Sequence, residues 1–113
     1  MQKEIPLTQK VYDFYSSLYI LTQKMPKKDK YSLGIKIDQT TLDLLEIVIA
    51  AGNAKPDEKL IILQKASAKT DLLKLLIRLC YDIKAIDKKK YLKLEERLQE
   101  IGRMLGGWIK SLR

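Results

Sequence analysis

Residues 91–112 read YLKLEERLQEIGRMLGGWIKSL. Tyr91, Leu94, Leu98, Ile101, Leu105, Trp108 and Leu112 recur in this stretch at steps of three and four without a miss. Residues so spaced share one face of an α-helix. At the rise of an α-helix the seam covers about 30 Å of axis. It needs partners of similar length, and the preceding sequence supplies them. Leu7, Val11, Phe14, Leu18 and Leu21 mark a helix over 6–24, with Thr8 available to cap a slightly later start. Met25-Pro26 ends it, because a residue before proline is pushed out of helical geometry. Residues 27–32 read as a basic loop, and Ser32 is placed to cap a helix over 32–51. Its seam is Ile37, Thr41, Leu44, Val48 and Ala51, widened by Leu45 and Ile49, with Gly34 a weak point and Gly52-Asn53 a stop signal.

Lys55-Pro56-Asp57-Glu58 opens a third helix over 56–84, with proline and acids where a first turn favours them. Leu63, Ala66, Thr70, Leu73, Ile77 and Cys80 form its seam, and Leu60, Leu72, Leu76, Leu79 and Ile83 a second apolar stripe. Such a helix buries two faces, or leaves one for a protein partner. Asp87 is placed to cap the fourth helix, over 88–111. These patterns predict one all-α domain over 1–113, an antiparallel up-down-up-down four-helix bundle.

Composition narrows the function. The chain of 113 residues is 46% hydrophobic, with a formal net charge of +8 and no histidine. A balance this basic suits a polyanion or an acidic protein surface. Lys24, Lys27, Lys28, Lys30 and Lys36 gather around the first turn, opposed by Asp29. Lys84, Lys88, Lys89, Lys90 and Lys93 gather around the last, opposed by Asp87. In the expected topology both turns lie at one end of the bundle, so the two clusters form one basic pole for phosphates, or simply a solvated face. Lys74, Arg78 and Arg103 belong to a more dispersed set, Arg78 within an apolar stretch and Arg103 beside Gly102. Glu95, Glu96 and Glu100 near Arg97 and Arg103 read as ordinary helix-surface pairing. Tyr12, Tyr15 and Tyr19 suit either base stacking or the rim of a core or interface.

Catalytic and metal chemistry is not signalled. Without histidine there is no imidazole base or ligand, and the single Cys80 can form neither a thiolate cluster nor an internal disulfide. Gly102, Gly106 and Gly107 follow no strand and precede no Gly-Lys-Ser/Thr, so they do not form a phosphate loop. Gly102 and Gly106 are four apart, where a second helix or subunit can approach closely, although fraying at the helix end accounts for Gly106 and Gly107 equally well. A non-enzymatic binding protein without metal or cofactor is expected. Met1-Gln2-Lys3-Glu4 leads into a polar and aromatic helix rather than a secretory leader, and no run is long enough to span a bilayer. A cytoplasmic location is the simplest expectation.

The segment Ile101-Gly102-Arg103-Met104-Leu105-Gly106-Gly107-Trp108-Ile109 resembles the C-terminal motif of the accessory variability determinant of bacterial diversity-generating retroelements. Leu42–Gly52, Tyr12–Lys27 and the Leu-Arg-rich stretch around Arg78 are similar to other helices of that family, so the likeness covers nearly the whole chain. A related group is the four-helix proteins encoded by intervening sequences in ribosomal RNA genes, oligomeric scaffolds of undefined role. The resemblance implies a ring-like homopentamer. It also implies a basic surface for the element's reverse transcriptase and its RNA or RNA/DNA, in support of mutagenic cDNA synthesis. Carried over by position, Arg78, Arg103 and nearby lysines such as Lys74 would form a basic surface or channel; with Lys27, Lys28, Lys30, Lys84, Lys88, Lys89 and Lys90 of the basic pole they make up the expected nucleic-acid surface. Gly102, Gly106, Gly107 and Trp108 would form the oligomer interface.

Overall fold

The computed structural model describes residues 4–113, with side chains from Pro6 onward. Met1–Lys3, where the absence of a leader was read, lie outside the described residues. Four long helices, α1 (Glu4–Gln23), α3 (Leu33–Asn53), α4 (Pro56–Asp82) and α5 (Lys88–Ser111), are joined by short turns, with one further helical turn, α2 (Lys27–Lys30). α1 packs against α3 and α5, and α4 packs against the same two helices, which closes an up-down-up-down bundle. Its extents are 43 × 22 × 19 Å.

The apolar seams meet in the middle. Leu7, Val11, Phe14 and Leu18 of α1 and Ile37, Leu44 and Val48 of α3 are buried with Leu63, Leu73 and Ile77 of α4 and Leu98, Ile101 and Leu105 of α5. Each such side chain contributes about 1.5–3 kcal/mol on leaving water. Thr41 and Thr70 sit in this apolar interior because their hydroxyls donate to the carbonyls one turn back, Ile37 O at 2.8 Å and Ala66 O at 2.9 Å.

Helix ends depart from the expected boundaries for identifiable reasons. α1 begins at Glu4, so Thr8 lies inside it. The basic loop contains the turn of α2, started by Pro26, whose carbonyl accepts from Asp29 and Lys30 N–H. Ser32 does not cap α3 through its side chain. Its hydroxyl instead donates back to Lys28 O at 2.8 Å, closing the end of α2. Gly52 does not stop α3 by a left-handed turn, since no described glycine has positive φ. The α3 terminus is capped from outside, by Lys59 Nζ donating to Ala51 O at 2.7 Å and Gly52 O at 3.3 Å. α4 ends at Asp82, not at Lys84. Lys84 takes φ 65°, Ala85 N–H donates to Cys80 O at 2.8 Å and Lys84 N–H to Tyr81 O at 3.0 Å. That is a Schellman closure with lysine where glycine is usual. Asp87 caps α5 as its position implies, its carboxylate accepting from Lys90 N–H at 2.8 Å.

Tyr15 ties α1 to α3 by donating to Asp38 Oδ1 at 2.7 Å. This hydrogen bond, then burial, then the Asp38 charge push the phenol up to about 12. Protonated Tyr15 is therefore favoured in the folded state. Its stabilising contribution is complete below the ordinary tyrosine value near 10 and is lost as pH rises through about 12. Ultraviolet titration should show a phenolate step near pH 12 that disappears in Tyr15→Phe. Asp87→Ala should cost about 1 kcal/mol in chemical denaturation, as loss of a helix cap does.

Candidate polyanion interface

Up-down-up-down order places the C-termini of α1 and α4 and the N-termini of α3 and α5 at one end. Lys24, Lys27, Lys28, Lys84, Lys88, Lys89, Lys90 and Lys93 are all exposed around this pole. Lys30 is half-buried, its ammonium 5.6 Å from the centre of the Tyr31 ring. Asp29, which the sequence sets against these lysines, is buried. Tyr81 and Tyr91 stack at 4.7 Å and 13° between planes, bracing the end of α4 against the start of α5.

Two features of this pole run against local stability. Lys88, Lys89 and Lys90 occupy the first turn of α5, which holds no acid. The N-terminus of a helix carries partial positive charge, and a cation there is unfavourable by a few tenths to about 1 kcal/mol. Lys84 holds a left-handed backbone that glycine adopts freely, a strain of order 1 kcal/mol for other residues. Neither the helix dipole at the start of α5 nor the chemistry of the turn before it favours lysine at these positions. Their common effect is a concentrated positive field.

The lysines from the two turns converge. Lys24, Lys84 and Lys90 line one cleft of about 350 Å³ with Leu21, Tyr81 and Ile86. Lys24 and Lys90 continue with Lys93 and Arg97 along a second of about 250 Å³, floored by Ile20, Leu21 and Leu94. Because the two share Leu21, Lys24 and Lys90, they form one groove running down the α1–α5 seam. Arg97 is fixed at its lower end by donating to Ser17 Oγ at 2.8 Å. Beyond it lie Asp13, Glu96 and Glu100 with Lys10, where Lys10 Nζ stands 3.3 Å from Glu100.

The other residues expected at the interface lie elsewhere. Lys74 and Arg103 line a separate cleft between α4 and α5. Arg78 is exposed and paired with Asp82 at 3.8 Å. Gly102 belongs to the α4–α5 packing, since a Cβ there would stand 3.5 Å from Lys74 Nζ. Gly106 and Gly107 are exposed, with open space where a Cβ would go. Trp108 is only 5% exposed and lies in the core of this chain, with Lys59 Nζ 5.8 Å above its ring. Little indole surface is left for a neighbouring subunit. Arg97 and Ser17 were not anticipated as groove residues. The signal was present, because Lys90, Lys93 and Arg97 are spaced three and four apart and so share a helix face. What the pattern lacked was the α1 wall opposite them.

Cys80 is buried, and burial first, then the Asp29 charge, pushes its thiol up to about 11. At neutral pH it is a protonated apolar side chain rather than a nucleophile. No group of carboxylates and cysteine suited to holding a metal ion occurs among the described residues. No described helix is long and apolar enough to cross a membrane.

An all-helical bundle with a strongly basic end is the class this geometry defines. The profile of the bAvd-like family matches residues 5–112, nearly the whole chain, and the protein belongs to that family. No curated protein matches it at a significant level.

Reversing charge at Lys88 and Lys89 should stabilise the fold, because glutamates would complement the start of α5. A gain of about 0.5–1 kcal/mol in chemical denaturation is expected from the pair at low salt. Gly106→Ala and Gly107→Ala should each add about 0.5–1 kcal/mol to the isolated protomer, since both are exposed helix positions with room for a methyl group.

Proposed function

We propose that this chain is a non-catalytic accessory subunit of a diversity-generating retroelement. It binds the element's reverse transcriptase and its RNA or RNA/DNA through the basic pole, and so supports mutagenic cDNA synthesis in a bacterial cytoplasm. Membership of the bAvd-like family suggests the accessory role. The observation that carries the binding role is the gathering of lysines at one pole against local helix and turn preferences. Stability would favour their dispersal, whereas a phosphate backbone rewards their concentration through counterion release.

A homo-oligomer, of the ring-like pentameric kind, fits the apolar surface. Ile35, Leu42 and Ile49 lie seven residues apart on α3 and are exposed, and Tyr12 and Tyr19 are exposed on adjacent α1. A second exposed stripe runs along α4 through Ile61, Leu75 and Leu79, with Ile83 just beyond its end. Two different apolar surfaces on one chain suit head-to-tail contact, which closes into a ring when the rotation permits. Of the second stripe expected on this helix, Leu79 and Ile83 belong to this exposed set, whereas Leu60, Leu72 and Leu76 are half-buried.

Sizing of the purified protein, with and without the cognate polymerase and RNA at two salt concentrations, tests this reading. A higher oligomer is expected, together with a complex that dissociates as salt rises. Charge reversal at Lys88, Lys89 and Lys90 should weaken RNA binding roughly tenfold or more, about equally for unrelated sequences. A monomer indifferent to salt, polymerase and RNA would refute it. An oligomer without nucleic-acid affinity would leave a scaffold of the ribosomal intervening-sequence type.

A further inference from the structure

We infer that the groove between α1 and α5 is a track for one strand of nucleic acid. Its phosphates meet Lys24, Lys90, Lys93 and Arg97, and its unstacked bases lie against Ile20 and Leu21. The inference rests on the polyanion-binding reading and adds the place, strandedness and length of the contact.

Three observations carry it. First, the cations come from both sides of the seam, Lys24 from the turn just after α1 and Lys90, Lys93 and Arg97 from α5, so that a chain lying there is contacted on two sides. The one acid lining the upper cleft, Asp87, is already engaged by Lys90 N–H at 2.8 Å and faces Lys90 Nζ at 3.9 Å. Second, the floor is apolar, and Ile20 is 60% exposed among these cations. Base faces make apolar contact with such a surface, and a single strand presents them whereas a duplex hides them inside its own stack. Third, Arg97 is held in place before any ligand arrives. Its Nη1 donates to Ser17 Oγ at 2.8 Å and approaches Asp13 O at 3.5 Å. A guanidinium carries five N–H donors, so others remain to fork onto a phosphate.

The groove also has a defined end. Asp13, Glu96 and Glu100 line the next cleft beyond Arg97 and would repel a strand that continued down the seam. From Lys90 to Arg97 the helix rises about 10 Å. Each protomer therefore holds only a few nucleotides, with about four phosphates neutralised. The logarithmic salt dependence for a single strand should then have a slope of about −3 from this groove.

Fluorescence anisotropy with a labelled oligouridylate and with an RNA duplex of equal length tests the inference across a salt series. Arg97→Gln with Lys93→Gln should lower single-strand affinity about tenfold and flatten the slope by about 1.4, with a smaller effect on the duplex. Should loss of Arg97 disturb the helices, Lys24→Gln with Lys93→Gln removes two exposed cations to the same effect. Ile20→Ala should weaken only the single strand and leave the salt slope unchanged, because it removes apolar contact surface and no charge. Groove variants that bind like the parent, while charge reversal at Lys88 and Lys89, which do not line the groove, abolishes binding, would overturn the track and keep the basic pole. Equal affinity for strand and duplex, indifferent to Ile20→Ala, would overturn it as well. A protein that binds neither probe would remove both readings.

Discussion

Burial of four apolar seams against one another is the constraint on which the rest of this molecule depends. Phe14, Leu44, Leu73 and Leu98 each come from a different helix and are each removed from water. Only a closed square of helices, α1–α3–α4–α5, covers all four stripes at once. That closure, through short turns, requires antiparallel neighbours. The antiparallel order in turn brings the α1–α3 and α4–α5 turns to one end. The basic pole is thus a consequence of core packing, although no lysine takes part in the core.

Charge and backbone at this pole oppose the economy of the helices themselves. A helix start favours acids, yet α5 starts with three lysines and relies on Asp87 alone as its cap. A Schellman turn favours glycine, yet Lys84 occupies the left-handed position. The core is stable enough to carry these local costs, each about 1 kcal/mol or less, because each buried seam residue contributes more than that. Such a division, with a conventional interior and an unconventional end, is typical of proteins whose surface serves a partner rather than their own fold.

Much of this was legible in the residues. Seven-for-seven spacing from Tyr91 to Leu112 specifies a helix, and the same logic finds the other three within a few residues. Asp87 is readable as a cap because a short acid before a helical run has one geometric use there. Ser32 was not, because its hydroxyl chose the open carbonyl of Lys28 over the N–H groups of α3, a choice set by the turn of α2. Trp108 lies on the inward seam, as its spacing implies, whereas the subunit contact implied for it by the family resemblance finds little exposed indole, and the bare backbone of Gly106 and Gly107 faces out. Spacing distinguishes these positions, since the indole follows the seam while its glycine neighbours lie about a quarter and about half a turn away from it.

The sequence by itself determined the helices, their apolar faces, the two lysine clusters and the excess of positive charge. These properties depend on residues a few positions apart, whose geometry the α-helix dictates. Only the tertiary structure decided that Lys24 faces Lys90 across a groove, that Arg97 is held by Ser17, and that Lys74, Arg78 and Arg103 stand apart from the pole. Those relations join residues distant in the chain, and they follow from how each helix is rotated to bury its seam.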